Sequence, residues 1–355
     1  MIIGVIGGGQ LARMLAMAGH PWAHRFVFLD PAPDACAGPL GELITAPYDC
    51  ERALLQLAER TDVVTFDFEN VPARSLEFLA GRVPVYPGAR ALGVAQDRLH
   101  EKALFHELGM ATADFVAVAG AAALPRAVAE LGLPAVLKTR TQGYDGKGQW
   151  LLRGPEDVAA AGRALGDQLA LLEKLVPFDR EVSLIAVRGR DGAVACYPLS
   201  ENTHRDGMLH TTVCRPGDAL QAVAEAQTHR LLDALDYVGV LAVEFFQVGT
   251  ELLANEFAPR VHNSGHWTIE GAETSQFENH LRAILGLPLG STRARGAHAM
   301  LNLIGVLPDP ARVLAIPGAH LHDYGKESRP GRKVGHVTIA CPEQGPALPP
   351  ELLAL

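Results

Sequence analysis

The first 95 residues alternate short apolar segments with helical ones, and this alternation strongly limits the possible folds. Apolar runs at Ile2–Ile6, Arg25–Leu29 and Asp62–Phe66 have the length of buried strands, and Leu11–Ala18 has the pattern of a helix. Short buried strands separated by helices are typical of a parallel, doubly wound sheet. The N-terminal part is therefore predicted to be a Rossmann-like α/β domain.

From about residue 97 onward the pattern becomes α+β, and the alanine-rich residues 117–123 are interpreted as a surface connection. We expect three domains: a Rossmann-like domain at 1–96, a central domain at 97–292 and a small β-rich C-terminal domain at 293–355. Beyond residue 97 the predicted helices are Asp97–Leu108, Asp157–Leu165 and Ala219–Leu235, and the predicted strands are Ala135–Lys138, Gln149–Leu152, Leu169–Glu173, Glu181–Arg188, Ala193–Pro198, Leu241–Phe246, Glu251–Phe257, His298–Ile304, His320–Tyr324 and His336–Ile339.

Composition and charge argue against several classes of protein. The chain has a net charge of −9 and no long basic run. Nucleic acid is therefore not expected as a partner, because surfaces that bind it concentrate Lys and Arg. No apolar stretch approaches the about 20 residues that span a membrane. The five cysteines form no C-x-x-C pair, so we expect reduced thiols, no zinc site and a cytoplasmic protein.

A glycine loop follows the first predicted strand. Residues 7–12, GGGQLA, have the spacing G-x-G-x-x-A between a strand and a helix, and Asp30 ends the second strand. This is the dinucleotide-binding pattern, in which the acidic residue binds a ribose hydroxyl. The alternative is a tight turn in a Rossmann-like domain that binds something else, where N–H groups at the helix start could still hold a phosphate. We favour the alternative because the rest of the chain supplies its own nucleotide site.

A second glycine loop lies between two predicted strands, in VLKTRTQGYDGKGQ at residues 136–149. A P-loop instead runs from a strand into a helix and ends in Gly-Lys-Ser or Gly-Lys-Thr. A loop between two strands can fold as a flap over a triphosphate, with backbone N–H groups near the phosphate oxygens. Lys138 and Lys147 add positive charge. The alternative is an ordinary hairpin loop with solvated charges.

Two glutamates are placed to face each other across a hairpin. Glu244 lies in LAVEFF and Glu256 in LLANEF, and a turn centred near Thr250 puts them opposite each other. Facing like charges destabilise a sheet, and a divalent cation would remove that cost. Oxygen ligands beside a triphosphate favour Mg²⁺. Asn255 could contribute only if the strand twists there, and the alternative is that one glutamate faces solvent on a frayed strand.

Three further polar segments fit a nucleotide and an anionic substrate. The strand end at 171–176, LLEKLV, could offer an acceptor and a backbone donor to an adenine, and Glu181 could accept from ribose hydroxyls. Residues 260–267, RVHNSGHW, follow the second glutamate directly and can bind phosphate or polarise a carboxylate. Residues 326–333, KESRPGRK, add four cations. A surface Glu–Lys pair and a solvated basic patch are the alternatives for the first and last segments.

In their order along the chain, these segments resemble the ATP-grasp superfamily. The closest resemblance is to the 5-(carboxyamino)imidazole ribonucleotide synthases, and it is carried by GGGQLARML, LKTRTQGYDGKGQW, EVSLIAVRG, YPLSENTHRDGML, NEFAPRVHNSGHWTIEGAETSQFENHLRAILGLPL and HDYGKESRPGRKVGH. The resemblance implies a three-domain ATP-grasp fold and a homodimeric, ATP-dependent carbon–nitrogen ligase of de novo purine biosynthesis. It also implies ATP and Mg²⁺, which Mn²⁺ could replace, with bicarbonate and 5-aminoimidazole ribonucleotide as substrates.

The same resemblance implies roles for individual residues. Nucleotide contacts are implied for Arg98, Lys138, Gly143, Tyr144, Asp145, Gly146, Lys147, Gly148, Gln149, Glu173, Lys174, Leu175, Val176, Glu181, His204, Asn255 and Glu256. Glu244 and Glu256 correspond to the metal ligands. The substrate pocket is implied to consist of Gln10, Glu69, Asn70, Tyr144, Arg260, His262, Asn263, Ser264, Lys326 and Arg332, with catalytic roles for Arg260, Asp145, His262 and Lys326.

On this interpretation, bicarbonate attacks the γ-phosphate of ATP to give carboxyphosphate, and the ribonucleotide amine is carboxylated directly or by released CO₂. Arg260 would stabilise the developing anions, Asp145 or His262 would orient the amine or move its proton, and the glycine flap would exclude water. Three alternatives stay open: another ATP-grasp ligase such as a formate-dependent glycinamide ribonucleotide transformylase, an NAD-dependent dehydrogenase, and a non-catalytic nucleotide-binding regulator.

Overall fold

The computed structural model describes residues 1–143, 146–341 and 348–353. Every helix and strand predicted from the sequence is present, with ends that differ by a few residues. Within the described part of the chain, no helix combines the length and apolar character needed to cross a bilayer. The strands are β1 (Ile2–Ile6), β2 (Arg25–Asp30), β3 (Glu42–Thr45), β4 (Val63–Phe66), β5 (Phe115–Ala119), β6 (Ala135–Thr139), β7 (Gln149–Leu152), β8 (Leu169–Lys174), β9 (Arg180–Arg188), β10 (Val194–Cys196), β11 (Ser200–Arg205), β12 (Met208–Cys214), β13 (Gly239–Val248), β14 (Glu251–Ala258), β15 (His298–Ile304), β16 (Ala319–Asp323) and β17 (Lys333–Ala340). The α-helices are α1 (Gln10–Gly19), α2 (Glu51–Arg60), α3 (Ala73–Ala80), α4 (Ala89–Ala95), α5 (Arg98–Glu107), α6 (Leu124–Leu131), α7 (Pro155–Leu165), α8 (Gln221–Ala234), α9 (Thr268–Gly271), α10 (Gln276–Leu285), α11 (Pro310–Leu314) and α12 (Pro350–Leu353).

The N-terminal sheet has the strand order β3-β2-β1-β4, and all its pairs are parallel. Its strands are almost wholly apolar because helices cover both faces. Leu54 of α2 and Leu76 of α3 pack in one cluster with Phe66, whereas Leu15 of α1 packs with Phe28 in another. The predicted Rossmann-like fold is confirmed.

A second, antiparallel sheet carries the second glycine loop, in the order β5-β8-β6-β7. Helices α6 and α7 cover it through Leu124 and Leu165, which pack against Leu137. The interpretation of residues 117–123 as a surface connection was wrong in its first part, because Ala117–Ala119 complete β5. Alanine favours helices over strands, so its local preference is overridden by pairing with β8.

The largest sheet joins the central and C-terminal parts of the chain, in the order β14-β13-β9-β11-β12-β15-β17-β16, with β10 paired to β9. The link is the antiparallel pair of β12 and β15, in which Thr211 lies opposite Leu301. The sheet therefore continues across residue 293, where the sequence predicts a domain boundary. As a result, β15 of the C-terminal part lies directly beside β12 of the central part.

Two helices, α5 with the site residue Arg98 and α10, begin at capping side chains. Asp97 precedes α5 and accepts a hydrogen bond from the backbone N–H of Leu99 at 2.9 Å. Ser275 precedes α10 and accepts one from Glu278 at 3.1 Å. Such caps satisfy N–H groups that the helix leaves unpaired, and they fix where the helix starts. The cap on α5 thereby sets the direction of Arg98.

Candidate active site

A cleft of about 1010 Å³ is walled by residues of all three sheets and of the loops next to them. It brings together most of the residues that the sequence singled out. The predicted residues that line it are Gln10, Glu69, Asn70, Arg98, Lys138, Gly143, Gly146, Lys147, Gln149, Leu175, Glu181, His204, Glu244, Asn255, Glu256, Arg260, His262, Asn263, Lys326 and Arg332.

Some predicted residues lie elsewhere. Gly148, Glu173, Lys174, Val176 and Ser264 do not line the cleft, and Tyr144 and Asp145 lie outside the described residues. Ser264 is fully buried beneath the wall, where its Oγ lies 2.9 Å from Nδ1 of His262. The ammonium of Lys174 donates to the backbone carbonyl of Leu133 at 3.4 Å. The side chains of Ser264 and Lys174 therefore contact neighbouring protein groups rather than the cleft.

Strands β13 and β14 place Glu244 opposite Glu256, as the spacing predicts. Near the turn, Phe245 pairs with Ala254. If that register continued, Asn255 would lie opposite Glu244. A register shift skips Asn255 and brings Glu256 into place. From the sequence, Asn255 could contribute to the site only if the strand twists there, and the strand does deviate at this residue. Oδ1 of Asn255 lies 3.4 Å from Nζ of Lys138.

The two carboxylates have opposite electrostatic environments. Burial and, next, the charge of Glu256 raise the pKa of Glu244. Burial alone would also raise the pKa of Glu256, but Arg98 and Lys138 outweigh it and hold that pKa well below its ordinary range. Nη1 of Arg98 lies 2.8 Å from Oε2 of Glu256. The pair therefore carries one stable negative charge and a second that is costly without a further cation.

These residues fit a magnesium ion that is held jointly with a nucleotide. Among the described residues, no group of three or more His, Cys, Asp and Glu side chains is arranged to hold a metal ion. Mg²⁺ commonly takes one or two carboxylates and completes its shell with water and phosphate oxygens. Glu244 and Glu256 supply two carboxylates on the cleft wall, and their mutual repulsion is a physical reason for a cation between them.

A buried cluster of charges supports this end of the cleft. Nζ of Lys138 lies 2.6 Å from Oε2 of Glu173, and Nζ of Lys102 lies 3.5 Å from its other oxygen. Burial would raise the pKa of Glu173, but Lys138 and Lys102 lower it to about 2. Lys102 also donates to the backbone carbonyl of Asn255 at 2.8 Å, which supports the bulged strand from behind. Glu173 therefore holds Lys138 in place rather than facing a ligand.

Helix α5 contributes two residues that sequence reasoning missed, Glu101 and Lys102. With Arg98 they have the spacing i, i+3, i+4 and share one face, and all three are at most 8% exposed. Oε1 of Glu101 accepts a hydrogen bond from the backbone N–H of Phe257 at 2.7 Å, beside Glu256. The charged stripe is visible in the sequence, but only packing shows that it faces the site rather than solvent.

At the end of the cleft near Leu175, aromatic and polar groups form a slot suited to a purine base and its ribose. The rings of Phe178 and Phe246 stack with centroids 4.9 Å apart, and Leu175 lines the cleft beside them. His204 and Glu181 form an ion pair. Burial would lower the pKa of His204, but the hydrogen bond with Glu181 raises it. The two phenylalanines were not singled out from the sequence, because nothing local distinguishes them from core residues.

The opposite end of the cleft joins the N-terminal and C-terminal parts of the chain. Arg260 pairs with Glu69, and the ammonium of Lys326 donates to Oε1 of Gln10. All four cations of the segment 326–333 line the cleft, and Lys326, Arg332 and Lys333 are half-buried there, whereas Arg329 is exposed and pairs with Glu327. This end is therefore positively charged, as an anionic substrate requires.

His262 lies between the two ends and is held in one tautomer. Its Nδ1 accepts the backbone N–H of Ser264 at 3.3 Å, so Nε2 carries the proton and lies 3.2 Å from Oε1 of Glu244. Burial and then the charge of Arg260 place the pKa of His262 well below its ordinary value. The ring is neutral and presents an N–H beside the carboxylate pair.

Comparisons with known proteins agree along most of the chain. Three family models match: the ribonucleotide synthetase preATP-grasp domain at residues 1–96, the ATP-grasp domain at 103–277 and the phosphoribosylaminoimidazole carboxylase C-terminal domain at 298–347. The N5-carboxyaminoimidazole ribonucleotide synthase of Pseudomonas aeruginosa is 59% identical over 97% of this chain and 96% of its own length. That of Bacillus subtilis is 39% identical over 95% of this chain and 91% of its own length.

This chain belongs to the N5-carboxyaminoimidazole ribonucleotide synthase family. Solved members agree with it: the synthetase from Thermus thermophilus has a TM-score of 0.90 and 59% identity over 95% of this chain and 93% of its own. The Aspergillus clavatus enzyme in complex with ADP and 5-aminoimidazole ribonucleotide has a TM-score of 0.89 and 33% identity, over 96% of this chain and 94% of its own. Our chain is accordingly an ATP-dependent carbon–nitrogen ligase with an ATP-grasp fold.

The first glycine loop of this synthase-family chain does not fit a dinucleotide. Asp67 accepts the backbone N–H of Ala12, at the start of α1, at 3.1 Å. Asp30, the predicted ribose ligand, instead accepts the N–H of Gly8 at 2.7 Å and the hydroxyl of Tyr48 at 3.0 Å. The protein's own carboxylates thus occupy positions where a pyrophosphate and a ribose would bind. The dehydrogenase interpretation is therefore wrong, both because these carboxylates fill the dinucleotide positions and because the chain belongs to a ligase family.

Proposed function

We propose that the protein transfers a carboxyl group from bicarbonate to 5-aminoimidazole ribonucleotide in this cleft. The step depends on ATP, releases ADP and phosphate, and belongs to purine biosynthesis. The observation that carries the proposal is that one cleft contains the paired carboxylates, the phosphate-binding cations and a separate basic end. The Aspergillus clavatus relative, which binds ADP and 5-aminoimidazole ribonucleotide, supports both ligands. Family membership favours this reaction over the formate-dependent alternative.

At the nucleotide end, Lys138 and Arg98 bind the phosphates while Glu173 and Glu256 keep both cations in position. A Mg²⁺ ion held by Glu244 and Glu256, which Mn²⁺ could replace, would neutralise charge on the triphosphate. The purine base lies between Leu175 and the stacked rings of Phe178 and Phe246. Glu181 accepts from the ribose hydroxyls. These roles assign each charged group of this wall to one part of ATP.

At the basic end, Arg260, His262 and Lys326 stabilise the anions that develop during the reaction. A bicarbonate oxygen attacks the γ-phosphorus, the bond to ADP breaks, and carboxyphosphate forms. The substrate amine then attacks the carboxyl carbon, phosphate leaves, and the amine gives up a proton. The neutral ring of His262 directs its one N–H towards Glu244 and so helps to hold that carboxylate in place. Both direct transfer and transfer through released CO₂ are compatible with this arrangement.

Carboxyphosphate hydrolyses readily, so the reaction requires water to be excluded. We assign this to the flap, defined as β6, β7 and the loop between them. Within it, a side-chain carbon on Gly146 would lie 3.0 Å from Cα of Gly207, in the turn between β11 and β12. Gly146 thus lies against the rim of the cleft, in a contact that a larger residue would make tighter.

Three further properties are proposed on the family resemblance rather than on contacts. The domain limits 1–96, 97–292 and 293–355 remain a prediction, and the family models match within each of these ranges except for small gaps between them. A homodimer and a cytoplasmic location are proposed in the same way. Sedimentation measures the oligomeric state directly, and fractionation of cells measures the location.

Phosphate release from ATP tests the reaction. We expect release that requires both bicarbonate and 5-aminoimidazole ribonucleotide, and that formate does not support. Arg260→Ala should lower the rate about 10²–10³-fold, the usual loss when a group that stabilises a developing anion is removed. Arg126→Ala, an exposed arginine of α6, is the matched control and should keep the wild-type rate. Release without bicarbonate at the full rate would refute the proposal.

A further inference from the structure

Asn302 of β15 touches the active site from below without lining the cleft. It is 3% exposed, and its amide faces the amide of Asn263, which does line the cleft. Nδ2 of Asn263 donates to Oδ1 of Asn302 at 3.1 Å, and Nδ2 of Asn302 donates to Oδ1 of Asn263 at 2.5 Å. The two side chains therefore form a reciprocal pair that links the C-terminal part of the chain to the substrate end.

A backbone carbonyl sets the direction of this pair. Nδ2 of Asn302 also donates to the carbonyl oxygen of Leu209 at 2.8 Å. A carbonyl can only accept, so Asn302 must turn its nitrogen towards Leu209. Its remaining N–H and its oxygen then face Asn263 in a fixed order. The oxygen of Asn263 must accept and its nitrogen must donate, so the orientation passes from the backbone of β12 to the cleft wall.

The pair with Asn302 determines which part of the Asn263 amide can face a ligand. An asparagine amide has two N–H donors, and the pair with Asn302 uses one of them. The second N–H of Asn263 is left for the cleft. The cleft wall also carries Arg260 and Lys326, which favour an anionic ligand, and an anion attracts an N–H and repels a carbonyl oxygen.

We propose that Asn302 is a positioning residue, which fixes the amide of Asn263 with an N–H towards the bicarbonate-derived anion. This rests on the proposed function, because that function supplies the anion. Asn302 touches no substrate itself and acts only through Asn263. Through Asn302, the C-terminal part of the chain has a second role in the reaction, in addition to supplying the cations of residues 326–333.

Steady-state kinetics of Asn302→Leu test the proposal. Without its partner the amide of Asn263 can rotate, and we expect kcat/KM for bicarbonate to fall about tenfold, the order expected for one hydrogen bond to a charged group. KM for ATP should stay within about twofold, since ATP binds at the other end. A role in stability alone would lower Tm without this separation of the two substrates. Should Asn302→Leu not fold, Asn302→Ser keeps a small polar side chain but loses the reciprocal pair, and allows the same comparison.

Asn279 of α10 offers a matched control, because its buried amide also binds backbone, at Gly290, but it does not line the cleft. Asn279→Leu should lower Tm and keep kcat/KM for bicarbonate within about twofold. A double-mutant cycle adds the decisive comparison. If Asn302 acts through Asn263, Asn302→Leu should cause no further loss in an Asn263→Ala background.

Two results would overturn the proposal while leaving the proposed function intact. One is an unchanged kcat/KM for bicarbonate in Asn302→Leu, in a wild-type enzyme that releases phosphate in response to bicarbonate. The other is an additive loss in the double variant. If the wild-type enzyme itself shows no dependence on bicarbonate, the proposed function fails first, so the two failures are distinguishable.

Discussion

The two glycine loops look alike in sequence but differ in the charges packed against them. The first, residues 7–9, faces carboxylates: a side-chain carbon on Gly7 would lie 1.7 Å from Oδ1 of Asp67. The second lies beside cations where it begins: a side-chain carbon on Gly143 would lie 3.5 Å from Nη2 of Arg98, and Lys138, in the preceding strand β6, lines the cleft. A glycine loop favours a phosphate where the neighbouring charges are positive, and glycine spacing alone does not show this.

The largest expected effect concerns the second loop. Lys138→Met removes a cation assigned to the phosphates, and ATP-dependent phosphate release should fall about 10²–10³-fold. The single change also leaves Glu173 with Lys102 as its closest remaining cation, which should lower stability. The double variant Lys138→Met/Glu173→Gln also leaves the buried Lys102 without its carboxylate partner, so it should regain neither stability nor activity. Recovery of activity in the double variant would mean that Lys138 acts only as a structural partner.

For the first loop, the next largest effect is on folding rather than on catalysis. Gly7→Ala should lower the free energy of unfolding by about 4 kcal/mol, because it combines a strained φ with a clash against Asp67. Gly296→Ala is the matched control, since Gly296 has φ +111° against +108° for Gly7 and no atom within 4 Å of the added carbon. Urea denaturation of both variants isolates the clash. Equal losses would show that the contact with Asp67 costs nothing.

The carboxylate under the first loop should be visible in the pH dependence of stability. Burial raises the pKa of Asp67 to about 6, from an ordinary value of 3.8. Because the folded-state pKa is the higher one, this contribution to stability is present below about pH 4 and is lost as pH rises through 6. Asp67→Asn lacks that titration, so its stability relative to wild type should improve by about 3 kcal/mol between pH 4 and pH 7. A constant difference across that range would contradict a buried, titrating carboxylate.

The smallest effect separates flap closure from backbone strain. Gly146→Ala places a carbon 3.0 Å from Gly207 and should lower kcat/KM for ATP about fivefold, through a cost near 1 kcal/mol in closing the flap. Gly318→Ala carries the same backbone cost, with φ +77° against +76°, and has no atom within 4 Å. Only the flap variant should lose activity. Equal kinetics in the two variants would remove the role given to the contact.

Much of the fold could be predicted because its causes are local. Short apolar strands between helices indicated the parallel sheet, and the hairpin spacing predicted the pair of Glu244 and Glu256, which the folded chain forms only through the bulge at Asn255. The bulge at Asn255 could not be predicted, because it depends on Lys102 binding the backbone from behind. The strand at Phe115–Ala119 was missed because its pairing with β8 overrides the preference of its alanines.

The predicted site was less complete where side chains act through packing. Asp30 fitted a ribose ligand by spacing, yet it binds Gly8 and Tyr48, which come close only in the folded chain. Asn302 lies in an apolar strand with no local sign of a role, and β12 brings it under the site. Sequence motifs identify groups that can bind a ligand. They do not show which of those groups are already hydrogen-bonded to other parts of the protein.

The most direct test of the account is the binding of Mn²⁺, followed by electron paramagnetic resonance, with a non-hydrolysable ATP analogue present. The paired carboxylates predict a tightly bound ion in the wild-type protein, and binding at least tenfold weaker in both Glu244→Gln and Glu256→Gln, as expected on losing one of two carboxylate ligands. Without the analogue, binding should be weak in all three proteins. Wild-type affinity for Mn²⁺ in both variants would show that the carboxylate pair does not hold the ion, and would contradict the central claim.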